Sequence, residues 1–362
     1  MRFIHCADLH LGSKMESYLP QTKADTLKRE LLAAFSSMVD YAKENKIEYI
    51  VIAGDMFDAR RVLRRAQKYA LGVMREAPEV TFLYFKGNHD AGFDFGADEI
   101  PENLKIFDSP SWQYFSPEGE NFTFAGISSL ESEQTYEALS LDEKCINVVV
   151  LHGQDASGVG EDKINLRLLK KKGIDYLALG HIHAYRQEKL DRRGVWAYSG
   201  CIAGRGFDEC GDKGFLVVDI DENKKSDRVS VEFVKSKNVR GFYTVSVDLG
   251  GTHGISDSHR ALDEALADVE GSSAIKVVLC GELDEDALAD AREIERHLEG
   301  RFFFVKVVDK TKILVSAEKY QNDVSLRGEF VRLSQNAKMN AEMRDLVLRY
   351  GLSALKGERG DV

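Results

Sequence analysis

Aspartate, asparagine and histidine residues occur together in five short clusters, and each cluster follows directly on an apolar run of the chain. Carboxylate, carboxamide and neutral imidazole groups without thiolates are typical ligands of divalent ions such as Mn²⁺, Fe²⁺ and Zn²⁺. One such cluster is most often a turn or a solvated loop, but five in the same relation to apolar runs indicate a metal centre. The clusters are Asp8-Leu9-His10, Gly54-Asp55-Met56-Phe57-Asp58, Gly87-Asn88-His89-Asp90, Leu151-His152-Gly153 and Gly180-His181-Ile182-His183.

The apolar runs before these clusters predict the strands that position them. Over the first 200 residues the runs alternate with helical patterns, which is typical of a layered α/β fold. Ligands of open α/β sheets bind beyond the carboxyl ends of the strands, so the clusters are expected to converge there. We predict strands at 2–7, 49–54, 80–87, 122–127, 145–151 and 175–180, helices at 22–45, 64–76 and 163–172, and an antiparallel addition at 186–190, 194–199 and 214–220.

The pattern changes from about residue 241 onward. Strand-like segments at 242–249, 274–280 and 302–308 alternate with helical segments near 256–270 and 284–299, which predicts a small second domain. Two amphipathic helices are expected after about residue 319, because apolar residues recur there at helical spacing. These residues are Leu326, Phe330, Leu333 and Ala337, followed by Met343, Leu346, Val347 and Tyr350.

Length and composition limit the class of protein. Of the 362 residues, 43% are hydrophobic and 30% are charged, and roughly 150 residues per domain predicts two or three globular domains. No apolar run is long enough to span a membrane, and the N-terminus reads as a strand rather than a signal peptide. The five cysteines form no CxxC pair. We therefore expect a cytoplasmic protein without membrane contact, a disulfide framework or a cysteine zinc site.

The net charge of −11 first argues against a nucleic-acid partner. However, residues 261–299 hold 12 acidic and 3 basic side chains, so this segment alone accounts for a charge of −9. The rest of the chain carries only −2. The acidity belongs to one segment and does not exclude a phosphate-rich ligand elsewhere.

The order of the five clusters resembles that of the calcineurin-like metallophosphoesterase superfamily over residues 8–183. A narrower resemblance, to the SbcD-type DNA repair exonucleases, comes from the segments MRFIHCADLHLG (1–12) and YSGCIAGRGFDE (198–209). The resemblance implies an α/β fold with a layered β-sandwich flanked by helices, a small α+β capping domain and a C-terminal helical tail. The implied domains are 1–236, 237–312 and 313–362, the last docking on a coiled-coil ATPase.

The resemblance also implies two divalent metal ions, first of all Mn²⁺, with Fe²⁺, Mg²⁺ or Zn²⁺ as alternatives. Two such ions can clamp the attacking and leaving oxygens of a phosphate. Asp55 would bridge them. The first ion would be held by Asp8, His10, Asp55 and His183, and the second by Asp55, Asn88, His152 and His181.

The remaining implied roles belong to residues beside the metals. His89 would be catalytic, as proton donor to the leaving oxygen or as a charge stabiliser. Asp58 stands where archaeal and eukaryotic relatives tend to carry histidine, and we expect a supporting role for it. Asp90 would either orient a histidine or cap a helix or turn.

Several arginines are candidates for DNA contacts. Arg60 and Arg61 follow the second cluster and could grip phosphates beside the metals, although a solvated helix face is an equal alternative. Arg205 is a further candidate, because its loop is expected near the fifth cluster. The helical tail could equally pack on its parent domain or present a groove to a partner helix.

Together these observations predict a two-metal DNA phosphodiesterase of double-strand-break repair, an exonuclease with endonuclease activity left open. The resemblance further implies a homodimer that is the nuclease subunit of an SbcC–SbcD-like complex. The enzymatic alternative is a phosphoesterase for small molecules or phosphoproteins. The non-enzymatic alternative is a scaffold that regulates an ATPase.

Overall fold

The chain, described here by a computed structural model, forms two compact units, Met1–Gly241 and Phe242–Val362. The structure describes residues 1–15, 18–58, 64–87, 90, 95, 100–130, 132–160, 162–224, 227–284, 291–314 and 320–355. Residues 242–312 of the predicted capping domain and the predicted tail both belong to the second unit. The division into three domains stays a prediction.

The first unit alternates strands and helices over most of its length. Its elements are β1 (Arg2–Cys6), α1 (Gln21–Glu44), β2 (Tyr49–Ala53), α2 (Arg64–Arg75), β3 (Thr81–Phe85), β4 (Leu104–Phe107), β5 (Gln113–Phe115), β6 (Phe122–Gly126), α3 (Glu133–Glu137), β7 (Ile146–His152), β8 (Gln154–Asp155), β9 (Lys163–Ile164), α4 (Leu166–Leu169), β10 (Tyr176–Gly180), β11 (Arg186–Lys189), β12 (Val195–Tyr198), β13 (Gly214–Ile220) and β14 (Val229–Lys235).

Two six-stranded sheets form the framework of this unit. The first has the order β14-β13-β1-β2-β3-β4 and the second has the order β11-β12-β10-β7-β6-β5. The middle strands of each sheet run parallel, whereas β13, β14, β11 and β5 pair antiparallel with their neighbours. With its helices on the sheets, the unit confirms the predicted layered α/β fold.

A shared apolar core joins the two sheets. Phe3 of the first sheet packs edge-on against Phe124 and Tyr176 of the second, with ring centroids 5.5 and 5.7 Å apart. The same cluster includes side chains from β2, β3 and β13 on one side and from β7 and β12 on the other. The sheets therefore pack face to face, which holds the ends of their strands in a fixed relation.

Helix α1 buries the stripe that its sequence predicts. Leu27, Leu31, Phe35, Met38 and Ala42, spaced three or four residues apart, are all buried. Its exposed residues are mostly charged or polar, so the helix is amphipathic in the usual sense.

The predicted antiparallel addition is wrong in part. β12 runs parallel to β10, because the chain reverses direction between β10 and β11 and again between β11 and β12. β13 joins the other sheet, where it pairs antiparallel with β1. The predicted helix at 163–172 is also shorter than expected, since β9 occupies its start and the extended backbone of Lys170 ends α4 after one turn.

The second unit is built on a smaller parallel sheet. Its elements are β15 (Phe242–Asp248), α5 (Ile255–Ala265), β16 (Ala274–Cys280), β17 (Glu282–Asp284), α6 (Ala291–Leu298), β18 (Phe304–Asp309), β19 (Lys312–Leu314), α7 (Leu326–Asn336) and α8 (Ala341–Leu355). The sheet order is β15-β16-β18, and β17 pairs with β19. Its core contains Leu262 of α5 and Ile294 of α6.

Helices α7 and α8 share a small core of their own. Val331 of α7 and Leu348 and Leu352 of α8 are buried together with Tyr320, and Ile313 of β19 packs against them. The opposite sides of both helices keep apolar side chains exposed, among them Leu333 and Leu346. No helix in the described segments is long and apolar enough to cross a bilayer.

A buried ion pair ties the amino ends of β7 and β10 together. Arg193 donates from Nε to Asp175 Oδ1 at 3.0 Å and from Nη2 to Oδ2 at 2.8 Å. Arg228 Nη1 lies 3.3 Å from the same carboxylate, which also accepts the backbone N–H of Asn147 at 2.9 Å. The Asp175 side chain is fully buried, so its loss would remove a counter-charge that two guanidinium groups share.

Asp175→Asn is therefore expected to lower the free energy of unfolding by about 3 kcal/mol, the usual cost of removing one partner of a buried pair. Urea unfolding followed by tryptophan fluorescence measures this unit directly, because Trp112 and Trp196 both belong to it. Asp227→Asn is the matched control, since the Asp227–Lys189 pair is exposed on both sides and should contribute little. Equal stability of the two variants would contradict the expectation.

Candidate metal centre

The carboxyl ends of four parallel strands bring most of the predicted ligands to one place. Asp8 follows β1 and Asp55 follows β2, and these strands are parallel neighbours in the first sheet. His152 ends β7, and His181 follows β10, its parallel neighbour in the second sheet. Backbone hydrogen bonds from Asp8 N to Gly54 O and from His10 N to Asp55 O join the first two loops.

Two groups of side chains at this point could hold metal ions. Asp8, His10 and His183 form one group. Asp8, Asp55 and His152 form the other, and in each group the ligand atoms lie within 4.8 Å of one another.

The distances between individual atoms suit shared cations. His10 Nε2 and His183 Nε2 lie 3.4 Å apart, close to the spacing of two tetrahedral ligands each about 2.1 Å from one ion. Asp55 Oδ2 lies 3.8 Å from His10 Nε2 and 3.3 Å from His152 Nε2. It is thus between an imidazole predicted for the first ion and one predicted for the second.

His181 adjoins both groups. Its ring packs edge-on against His152, with centroids 5.4 Å apart, and its backbone N–H points to both Asp8 oxygens at 3.0 Å. The described structure thus gathers Asp8, His10, Asp55, His152, His181 and His183 in one cluster.

Four of these residues have a left-handed backbone. The φ angles are 51° for Asp8, 43° for His10, 51° for Asp55 and 99° for His181. Non-glycine residues rarely adopt such angles, and they persist only where the surrounding structure enforces them. Four such angles in one cluster indicate that these loops adopt a strained backbone in order to orient their side chains.

Two glycines leave room for the His152 ring. A Cβ at Gly54 would lie 2.1 Å from His152 Nδ1, and one at Gly180 would lie 2.7 Å from the same atom and 1.9 Å from Ala53 O. No side chain fits at either position. The ring can therefore hydrogen-bond through Nδ1 to Ala53 O at 2.9 Å, and Nε2 faces Asp55.

The cluster concentrates charge in a buried place. Asp8 and Asp55 are each 1% exposed. Burial raises the pKa of Asp8 to about 6, against the lowering effect of His152 and His183. Burial alone would lower the pKa of His152, but its hydrogen bond to Asp55 and the two carboxylate charges raise this pKa to about 9. Paired buried carboxylates among imidazoles fit divalent cations, which would compensate their charges.

Glu209 is a functional candidate that the sequence analysis missed. Its Oε1 lies 2.8 Å from His183 Nδ1. Burial alone would raise the pKa of Glu209, but hydrogen bonds from His183 and Arg205 hold it well below its usual value. The only sequence signal was its place at the end of the segment YSGCIAGRGFDE, which gives no indication of a contact with His183.

The structure describes three of the other predicted site residues: Arg205, Asp90 and Asp58. Arg205, predicted to contact DNA, is 20% exposed and its guanidinium donates to Glu209. Asp90 accepts hydrogen bonds from the backbone N–H groups of Gly87 and Phe57. Asp58 is half-buried beside Phe57. Four predicted residues lie outside the described part of the chain: Asn88, His89, Arg60 and Arg61.

Relatives of the chain include proteins with and without an assigned biological role. It is 31% identical over 256 residues to the uncharacterized metallophosphoesterase YhaO of Bacillus subtilis, covering 66% of this chain and 61% of that protein. The chain thus spans about three fifths of that relative's length. It is 23% identical over 400 residues to the DNA double-strand break repair protein Mre11 of Methanopyrus kandleri, covering 100% of this chain and 83% of the relative.

Among solved structures, a dimetal phosphatase from Danio rerio aligns with a TM-score of 0.43 and 14% identity, covering 66% of this chain and 97% of that one.

The sequence model of the calcineurin-like phosphoesterase family matches residues 1–185. This match extends over half of the chain and contains all six side chains of the cluster. Members of the family are hydrolases that use two divalent metal ions, and the donor set of the cluster fits such ions. The chain therefore belongs to the calcineurin-like phosphoesterase family.

Proposed function

We propose that this phosphoesterase is a DNA phosphodiesterase, the nuclease subunit of an SbcC–SbcD-like repair complex. The observation that carries the proposal is the cluster of two buried carboxylates and four imidazoles at the carboxyl ends of both sheets. DNA as the substrate is supported by the similarity to a protein named for double-strand break repair, which extends over the whole chain.

The ligand assignment follows the predicted pattern. Asp8, His10, Asp55 and His183 would hold one ion, and Asp55, Asn88, His152 and His181 would hold the other. Contacts of Asp55 Oδ2 with both His10 and His152 support a bridging position. Mn²⁺ is the proposed ion, because oxygen and imidazole ligands without thiolates suit it.

Bound divalent cations supply Lewis-acid activation of the phosphoester and of the attacking water. Residues of the chain would do the rest. His89 would donate a proton to the leaving oxygen. Asp90, which accepts a hydrogen bond from Gly87 N, would have a supporting role beside them.

The second unit supports a protein partner. On α8, Met343, Leu346 and Tyr350 are 51%, 41% and 57% exposed, at the spacing of one helix face. Leu326 and Leu333 of α7 are 73% and 62% exposed. We propose that these five side chains, the apolar face of α7 and α8, dock on an amphipathic helix of a coiled-coil ATPase. We also propose a homodimer.

His89→Ala is expected to lower Mn²⁺-dependent release of nucleotides from linear DNA by about 10²- to 10⁴-fold, the usual contribution of a general acid. The wild-type protein should also hydrolyse bis-p-nitrophenyl phosphate in preference to p-nitrophenyl phosphate. The release of nucleotides and the hydrolysis of the two nitrophenyl phosphates are each measured spectrophotometrically at saturating Mn²⁺.

His253→Ala is the matched control, because His253 is an exposed histidine of the second unit and its loss should leave the rates unchanged. Equal DNA hydrolysis by wild type and His89→Ala would remove the role assigned to His89. A strong preference for the monoester would favour a small-molecule or phosphoprotein phosphoesterase.

Asp55→Asn is expected to reduce bound manganese from about two ions per chain to fewer than one, since a bridging ligand serves both ions. Metal content after gel filtration, by mass spectrometry, measures this. Asp40→Asn, at an exposed position of α1, should retain both ions. A wild-type protein that binds well under one ion per chain and hydrolyses no phosphoester would support the scaffold alternative.

Leu346→Glu is expected to reduce co-purification of a coiled-coil ATPase from the source cell at least tenfold, because a charge would have to be desolvated in the interface. The ATPase is identified and quantified by mass spectrometry. Ile100→Glu introduces the same charge at a side chain of similar exposure, 47%, in the first unit and should retain the partner. Equal loss in both variants, or none in either, would contradict docking through this face.

A further inference from the structure

The segment between β12 and β13 holds His183 at two of its atoms. Glu209 Oε1 lies 2.8 Å from the ring atom Nδ1. Lys213 Nζ donates to the backbone carbonyl of His183 at 3.0 Å, and Cys201 N donates to the same carbonyl at 3.5 Å. Glu209, Lys213 and Cys201 are all buried. Both the ring and the main chain of His183 are thus fixed from one side.

Glu209 is itself held by Arg205, four residues earlier. The backbone N–H of Arg205 donates to Oε2 at 2.8 Å, and its Nε donates to Oε1 at 2.9 Å. Both oxygens of the carboxylate therefore accept charge-assisted or backbone hydrogen bonds, which fixes the orientation of the group. Because both carboxylate oxygens act as acceptors in these contacts, the proton in the hydrogen bond between Glu209 and His183 belongs to Nδ1.

A proton on Nδ1 leaves the lone pair of a neutral imidazole on Nε2. That atom is the one turned toward the other predicted ligands, 3.4 Å from His10 Nε2 and 3.8 Å from Asp8 Oδ1. The Nδ1 atom of His152 also has a hydrogen-bond partner, the carbonyl oxygen of Ala53. This partner is weaker than a carboxylate because it is neutral. A carboxylate partner makes a metal-binding imidazole more basic and fixes its tautomer.

We infer that Glu209 is a positioning residue for His183. It selects the Nδ1–H tautomer and directs Nε2 toward the ion held with Asp8 and His10. It thereby raises the affinity of the protein for that ion. Arg205 acts through Glu209 by keeping its carboxylate in place. The inference rests on the proposed ligand role of His183 and adds a residue that the five clusters do not contain.

The first test compares Glu209→Gln with wild type in Mn²⁺ titrations of the metal-free protein, followed by the electron paramagnetic resonance signal of free Mn²⁺. One ion should bind about 10- to 100-fold more weakly in the variant, the usual effect of losing such a partner, while the affinity of the other stays within about twofold. Asp208→Asn is the matched control, because Asp208 is the adjacent acidic residue and is exposed. Unchanged affinity for both ions in Glu209→Gln would overturn the inference.

The second test needs no stable variant of Glu209. The tautomer of His183 is read in metal-free wild-type protein from the ¹⁵N shifts of its imidazole at slightly alkaline pH, with His183→Gln used to assign the signals. We expect the proton on Nδ1. A proton found mainly on Nε2 would overturn the inference, and so would a tautomer ratio that stays the same in a folded Glu209→Gln protein.

His183→Ala separates this inference from the proposed function. If His183→Ala weakens the binding of one Mn²⁺ ion and Glu209→Gln does not, the positioning role fails and the ligand assignment stands. If His183→Ala leaves both affinities unchanged, the ligand assignment itself fails. A purely structural role of Glu209 would lower the unfolding temperature of Glu209→Gln without changing the tautomer, and that result also rejects the inference.

Discussion

Two buried carboxylates, Asp8 and Asp55, set the main physical constraint on the first unit. Their oxygens share a site with imidazoles within 4.8 Å, and water is nearly excluded from them. Like charges in such a place repel strongly unless positive charge lies between them. The imidazoles of His10, His152 and His183 lie beside these carboxylates, and the divalent cations that its family uses would supply positive charge between them. The left-handed backbone at both aspartates is a further cost of this arrangement.

The packing of the two sheets enforces the strained backbone angles of the ligand loops. The site takes residues from β1 and β2 on one sheet and from β7 and β10 on the other, so its geometry depends on how the sheets pack. Phe3, Phe124 and Tyr176 interlock in the core between them. At the opposite end of β7 and β10, Asp175 and Arg193 anchor the strands. A loop alone could not hold so many ligands within a few ångströms of one another.

Much of this framework could be predicted from local patterns. The apolar stripe of α1 and the strands before each cluster follow from periodicity, because burial of one face leaves a regular trace in the sequence. β14 was missed because it is an edge strand whose residues are at most half-buried, so it shows no continuous apolar run. The parallel placement of β12 and the transfer of β13 to the first sheet depend on pairing between remote segments, which leaves no local trace.

The same distinction applies to the site. By itself, the sequence determined which ligand types are present, their order along the chain and their position after strands, since these are properties of short segments. Only the tertiary structure decided that Asp8 belongs to both ligand groups, that Asp90 accepts hydrogen bonds from Gly87 and Phe57, and that Glu209 lies against His183. These contacts join side chains far from each other in the chain or within irregular loops, and their distances are set by the packing of two sheets rather than by any periodicity.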